Sequence, residues 1–166
     1  MRLIELLLAE FDREAGLTRR VLARAPGDRL DFCPHPRSMT LGRLITHLAE
    51  LPAWGAALLA SDGFDLANRP ANDRVEASLA DALASFDRNV SAVRHAIVTR
   101  TDAELLAPWT LKTEGKDVFT VPRLIALRLL LLEHSTHHRG QLTVYLRLLD
   151  VPVPALYGPS ADEGHL

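Results

Sequence analysis

A chain of 166 residues fits one domain and is long enough to bury a core. Its formal charge of -2 gives no electrostatic reason to expect nucleic acid as a partner. The single cysteine, Cys33, excludes an internal disulfide and fits a reducing compartment. No window reaches the ~18–20 uncharged apolar residues of a membrane span, and Glu5 and Glu10 interrupt the apolar N-terminus, so a soluble, cytoplasmic protein is expected.

Residues from about Leu3 to Arg24 read as a first amphipathic helix, with Leu3, Leu7, Phe11, Leu17 and Val21 as its apolar marks and Gly16 as a local weakness. Pro26, Gly27 and Asp28 end it, and Pro34 and Pro36 keep the connection up to Ser38 non-helical. Ser38 or Thr40 caps a second helix running to about Ser61, with Pro52 inside it. Its inward stripe is Leu44, His47, Leu51, Trp54 and Leu58. Asp62 to Asn72 reads as a loop, and a third helix spans about Val75 to Thr99 with Leu79, Leu83, Phe86, Val90, Val93 and Ile97 facing inward.

The helical pattern stops between Thr101 and Pro122. Pro108 to Lys112 and Lys116 to Phe119 read as two short strands around a turn containing Gly115, and they need the bundle for support. Thr120 is expected to cap the last helix, with Pro122 in its first turn. That helix extends from Arg123 to Asp150 without a proline. The tail, 152–166, is extended and packs across the bundle through Leu156 and Tyr157. The expected fold is all-α, a four-helix bundle with a short β-hairpin before the last helix, in one domain covering 1–166.

The last helix carries Leu124, Leu127, Leu131, His134, His138, Leu142, Tyr145 and Leu149 at intervals of three and four. Two histidines thus stand where the pattern reserves leucine, and His47 does the same on the second helix. A buried imidazole needs a hydrogen bond or an ion. Two readings follow: core histidines with satisfied nitrogens, or three ligands of one divalent metal. A His₃ set suits Zn²⁺, Ni²⁺, Fe²⁺ or Mn²⁺ and leaves positions open for water or substrate.

The run from His134 through His137, His138, Arg139, Gly140 and Gln141 to Leu142 resembles the signature of the DinB/YfiT-like metal-binding four-helix-bundle proteins. Ser38 to Glu50 is similar to that family's segment for the first ligand, and Val153 to Glu163 resembles the tail of one branch. The resemblance implies a divalent metal on His47, His134 and His138, an up-down-down-up bundle with one long crossover, and a homodimer. It further implies kinship with thiol-dependent S-transferases and isomerases that use a low-molecular-weight thiol such as mycothiol or bacillithiol. Hydrolysis is the other chemistry such an ion serves. The alternative is a non-catalytic, stress-related protein that binds a metal or ligand.

Around the three histidines, Glu50, Arg139 and Gln141 are candidates for orienting an imidazole or meeting substrate. Arg139 has a second reading as the partner of a carboxylate, and Glu50 one as an exposed charge. Gly140 is expected to permit close helix approach. His137 points off the site; His35, His95 and His165 read as surface residues; Cys33 has no activating partner. Trp54, Trp109 and Tyr145 are expected in the core. No residue is singled out as catalytic.

Overall fold

The computed structural model describes residues 2–69 and 74–164; His165 and the 70–72 part of the expected loop lie outside them. Three long helices are α1 (Leu3–Leu22), α2 (Leu41–Leu59) and α3 (Leu79–Val98). A fourth rod is assembled from α5 (Arg123–Leu127), a π-helical segment (Arg128–Glu133) and α6 (His134–Leu148). Backbone angles stay in the right-handed helical region at both junctions, so the rod continues through the π segment. A short helix, α4 (Asp102–Leu106), lies where the sequence pattern showed no helix.

Local chemistry explains the boundaries. The Thr40 hydroxyl accepts the Arg43 amide at the start of α2, and Ser78 does the same for Asp81 at the start of α3. The third helix therefore begins at Leu79 rather than near Val75. Thr101 and Glu104 form a capping box that allows α4, and the Asp102 carboxylate takes the free amides of Leu3 and Ile4 at the start of α1. Thr120 does not cap the last helix. It lies in a strand, and Pro122 is the residue that precedes the helix.

The strands are β1 (Gly63–Asp65), β2 (Pro108–Thr113) and β3 (Lys116–Pro122), in the order β1-β2-β3. β2 and β3 form the expected antiparallel hairpin, turned by Glu114 and Gly115, both at positive φ. β1 corrects the reading of Asp62 to Asn72 as loop: it pairs parallel to β2, and the Asp65 carboxylate takes the Glu114 and Gly115 amides at 3.0 and 2.7 Å. Only glycine fits at 63, since a Cβ there would lie 2.5 Å from the Thr110 carbonyl oxygen.

Cross-bundle contacts fix the helix directions. Gly42 faces Val75, Ala49 accepts from Asn89 and Gly55 lies beside Val93, so α2 and α3 run parallel. Arg19 pairs with Asp87 and Asp12 with Arg94, so α1 opposes α3. Glu10 meets Arg128 and Glu14 meets Arg139, so α1 parallels the fourth rod, while Met39 meets Tyr145 and Gly55 meets Leu131, so α2 opposes it. The bundle is up-down-down-up, and the connection between the parallel α2 and α3 is the long crossover.

Most expected inward positions enter one core, including Leu7, Phe11, Leu44, Leu51, Phe86, Ile97, Leu131 and Leu142. Leu17 does not; Glu14 and Thr18 take that part of the α1 face. The tail crosses the bundle as expected, with Leu156 against the core and the Tyr157 hydroxyl donating to Glu14 at 2.5 Å. Its Glu163 pairs with Arg20 and Arg24, and its Asp162 with Arg147. No helix among the described residues is long and apolar enough to cross a membrane.

Candidate metal centre

α2 and the fourth rod run antiparallel, which brings His47 opposite the His134/His138 turn. The ligand-capable nitrogens of the three imidazoles all lie within 4.8 Å of one another. His134 Nε2 stands 2.9 Å from His138 Nε2 and 3.3 Å from His47 Nε2. Two nitrogens each bound to one ion at ~2.0–2.1 Å would be about 3.0 Å apart at a right angle and about 3.4 Å apart at a tetrahedral angle. The two spacings at His134 match what one ion requires.

The protonation states fit as well. Burial, then the charges of His138 and His134, and those of Arg43 and Arg69, push His47 down to about 3. Burial and the neighbouring histidines also lower His134, against a hydrogen bond to the Leu130 backbone that acts in the opposite direction. His138 is lowered chiefly by burial, opposed by its bond to Gln141. Near neutral pH all three rings are therefore uncharged and offer lone pairs.

Gln141 selects which lone pair His138 presents. Its Oε1 lies 2.7 Å from His138 Nδ1, and an amide oxygen can only accept. The ring hydrogen sits on Nδ1, and Nε2 is left free toward the other two histidines. The donor set fits a divalent cation: three neutral, convergent imidazoles, with one ring fixed from behind.

The other candidates fall elsewhere. Arg139, adjacent to His138, lies about 100° around the helix and faces α1. It is 1% exposed and binds the Glu14 carboxylate at 2.6 Å, the Glu14 carbonyl and the Thr18 hydroxyl at 3.0 Å, and the Tyr157 hydroxyl. Burial alone would raise the Glu14 carboxyl, but the Tyr157 hydroxyl and Arg139 more than offset it and hold Glu14 below the usual range. Glu50 turns to Arg43, 3.5 Å away, and no imidazole bonds to it. Gly140 is exposed with open space where a Cβ would go, so close helix approach is not its role.

His137, His35 and His95 are exposed, and the Cys33 thiol is hydrogen-bonded to the His35 carbonyl. Tyr145 is buried, its hydroxyl donating to the Met39 carbonyl at 2.8 Å.

Beside His47 and His134 opens a cavity of about 310 Å³ that the sequence did not disclose. Leu51, Trp54 and Leu58 of α2 form one wall, and Leu130 and Leu131 of the π segment form another. The sheet side is closed by Phe64 and Trp109. Trp109 is therefore cavity wall as well as core, whereas Trp54 is half-buried cavity wall outside the expected core and meets Phe64 edge-on at 5.3 Å between centroids. The cavity depends on β1, which sequence reasoning had not found.

Residues 2–165 match the DinB family. The chain belongs to that family. It is 27% identical over 161 residues to the uncharacterized protein YrdA of Bacillus subtilis (strain 168), covering 94% of this chain and 89% of YrdA. A DinB-like protein from Bacillus cereus ATCC 10987 superposes with a TM-score of 0.71 at 24% identity, covering 92% of this chain and 97% of that one. A second DinB-like structure, YjoA of Bacillus subtilis, gives 0.66 at 18% identity, covering 89% and 96%. These two likenesses show that this DinB-family chain has the fold of its relatives.

Proposed function

We propose that this DinB-family protein holds one divalent metal ion on His47, His134 and His138 and uses it to transfer a thiol to, or hydrolyse, a small electrophile. What carries the reading is the convergence of three neutral imidazole Nε2 atoms, two of whose rings, His47 and His134, line an apolar cavity. An ion held there supplies a Lewis acid that lowers the pKa of a coordinated thiol or water. The chain's own contribution is to hold the three rings in place, to fix the His138 tautomer through Gln141, and to keep a water-poor cavity next to them. Arg43 and Arg69 add positive charge that keeps the rings unprotonated. Glu50 and Arg139 are left out of this chemistry, since each is bound to a charged partner of its own.

The homodimer and the cytoplasmic location belong to the same proposal. Leu6, Ile125 and Leu129, on the helix and the rod joined by the Glu10–Arg128 pair, are among the exposed apolar residues a second copy could cover.

The test is consumption of a generic electrophile by zinc-, nickel-, iron- or manganese-loaded protein, with and without a low-molecular-weight thiol. Turnover that is lost in His47→Ala while the circular dichroism spectrum is kept supports the reading. Metal-loaded protein without turnover under either condition would leave a binding protein and remove the enzyme.

A further inference from the structure

The cavity carries more information than its position. Its walls are apolar and aromatic, and its volume of about 310 Å³ falls at the small end of ligand sites. An apolar cavity of ~150 Å³ is enough for benzene, so roughly one ring with a short chain and a polar head fills this one. The lining also has a sign. Among the described residues, Arg69 is its one charged side chain and no carboxylate lines it. The aspartates just before and at the end of β1 are engaged elsewhere: Asp62 pairs with Arg123 at 2.5 Å, and Asp65 takes the backbone amides of Ala67, Glu114 and Gly115. Arg69 lines the same cavity as His47 and His134.

We propose that the cavity binds a small aryl-bearing carboxylate, its ring against Trp54 and Phe64 and its carboxylate at the His47/His134 end, where Arg69 neutralises it. The place of the head rests on the metal reading, because a bound divalent ion would be a second positive charge for the carboxylate. The fit of the apolar body and the preference for negative charge do not rest on it. A cationic head would meet Arg69 and the ion with no acid among the described lining residues to offset them. An acid without a ring would leave the aromatic wall unfilled.

Both tryptophans of the chain, Trp54 and Trp109, line this cavity, so tryptophan fluorescence reports its occupancy without background from elsewhere. The experiment titrates metal-free and zinc-loaded protein with phenylpropionate, phenylpropanol and phenylpropylamine, which share a body and differ in head charge, and with acetate. Phenylpropionate should give a saturable change with a Kd at least about tenfold below that of the amine, the alcohol falling between them and acetate giving none. The exposed Arg69→Ala variant should narrow the gap between acid and amine without moving the alcohol. Zinc should tighten the acid alone.

No saturable response to any ligand, or an amine that binds as well as the acid, would overturn the proposal. An acid that binds zinc-loaded and metal-free protein equally would overturn the placement of its head at the histidines. If zinc itself fails to bind, the metal reading fails, and the ranking in metal-free protein still decides for or against the cavity's ligand. If zinc binds while the tryptophans stay silent, the cavity proposal fails alone.

Discussion

At the scale of single residues, the structure assigns different work to two neighbours in the same helical turn. His138 faces α2 and the other histidines, and Gln141 holds its Nδ1 hydrogen at 2.7 Å. Removing that acceptor frees the ring to rotate and to change tautomer. Gln141→Leu should therefore weaken zinc binding about 10- to 100-fold by isothermal titration calorimetry; unchanged affinity would show that Gln141 does not position the ring. Arg139 faces α1 and closes a buried cluster with Glu14, Thr18 and Tyr157. Arg139→Met strands the Glu14 carboxylate in the core and should cost about 3–5 kcal/mol in urea denaturation, most of it regained in the Glu14→Leu/Arg139→Met double variant. A small loss in the single variant would mean that Glu14 finds water instead.

The histidines were legible in the sequence because they interrupt a leucine stripe. The Glu14 cluster was not, although the same rule reaches it: Ile4, Leu7, Phe11, Glu14, Thr18 and Val21 recur at three and four and are all buried. Choosing Leu17 over Thr18 gave hydrophobicity precedence over register.

At the scale of elements, the π segment is the feature with most consequence for the site. Residues Arg128–Glu133 contain more residues per turn than the α-helix on either side, which resets the face on which His134 and His138 emerge relative to Leu124 and Leu127. Deleting Leu129, which is 41% exposed, should let the rod close up as α-helix with the two histidines still facing α2, because five α residues turn about as far as six π residues. The expected result is full helical content by circular dichroism with zinc binding kept; zinc binding lost would mean that the π segment itself, and not only the register it preserves, is needed at the site.

A run of leucines contains no sign of π geometry, because all of its faces look alike. The long helices and the hairpin were readable from period and caps. β1 was not, since three residues are too few to show alternation and its partner lies 47 residues away in the Gly63–Thr110 register.

At the scale of the whole molecule, the three histidines meet because α2 and the fourth rod run antiparallel while α2 and α3 run parallel. No local pattern encodes that topology; only the family resemblance implied it. It places three imidazoles in a buried, partly cationic setting, with a consequence for stability. All three rings have folded-state values below 6.5, His47 at about 3. Below pH 6.5 the unfolded chain takes up protons that the folded one refuses, so metal-free protein should lose stability as the pH falls from there toward 3 and be insensitive to these groups above it. Urea midpoints measured from neutral pH to about pH 4 check this, and a constant midpoint would contradict it.

The most direct test of the central claim is elemental analysis of protein purified without a histidine tag, beside His134→Ala/His138→Ala. About one divalent ion per chain in the native protein, and none in the variant, is the predicted result. Native protein that takes up no ion after incubation with Zn²⁺, Ni²⁺, Fe²⁺ or Mn²⁺ would contradict it and leave His47, His134 and His138 as core residues bonded to one another, to Gln141 and to the Leu130 backbone.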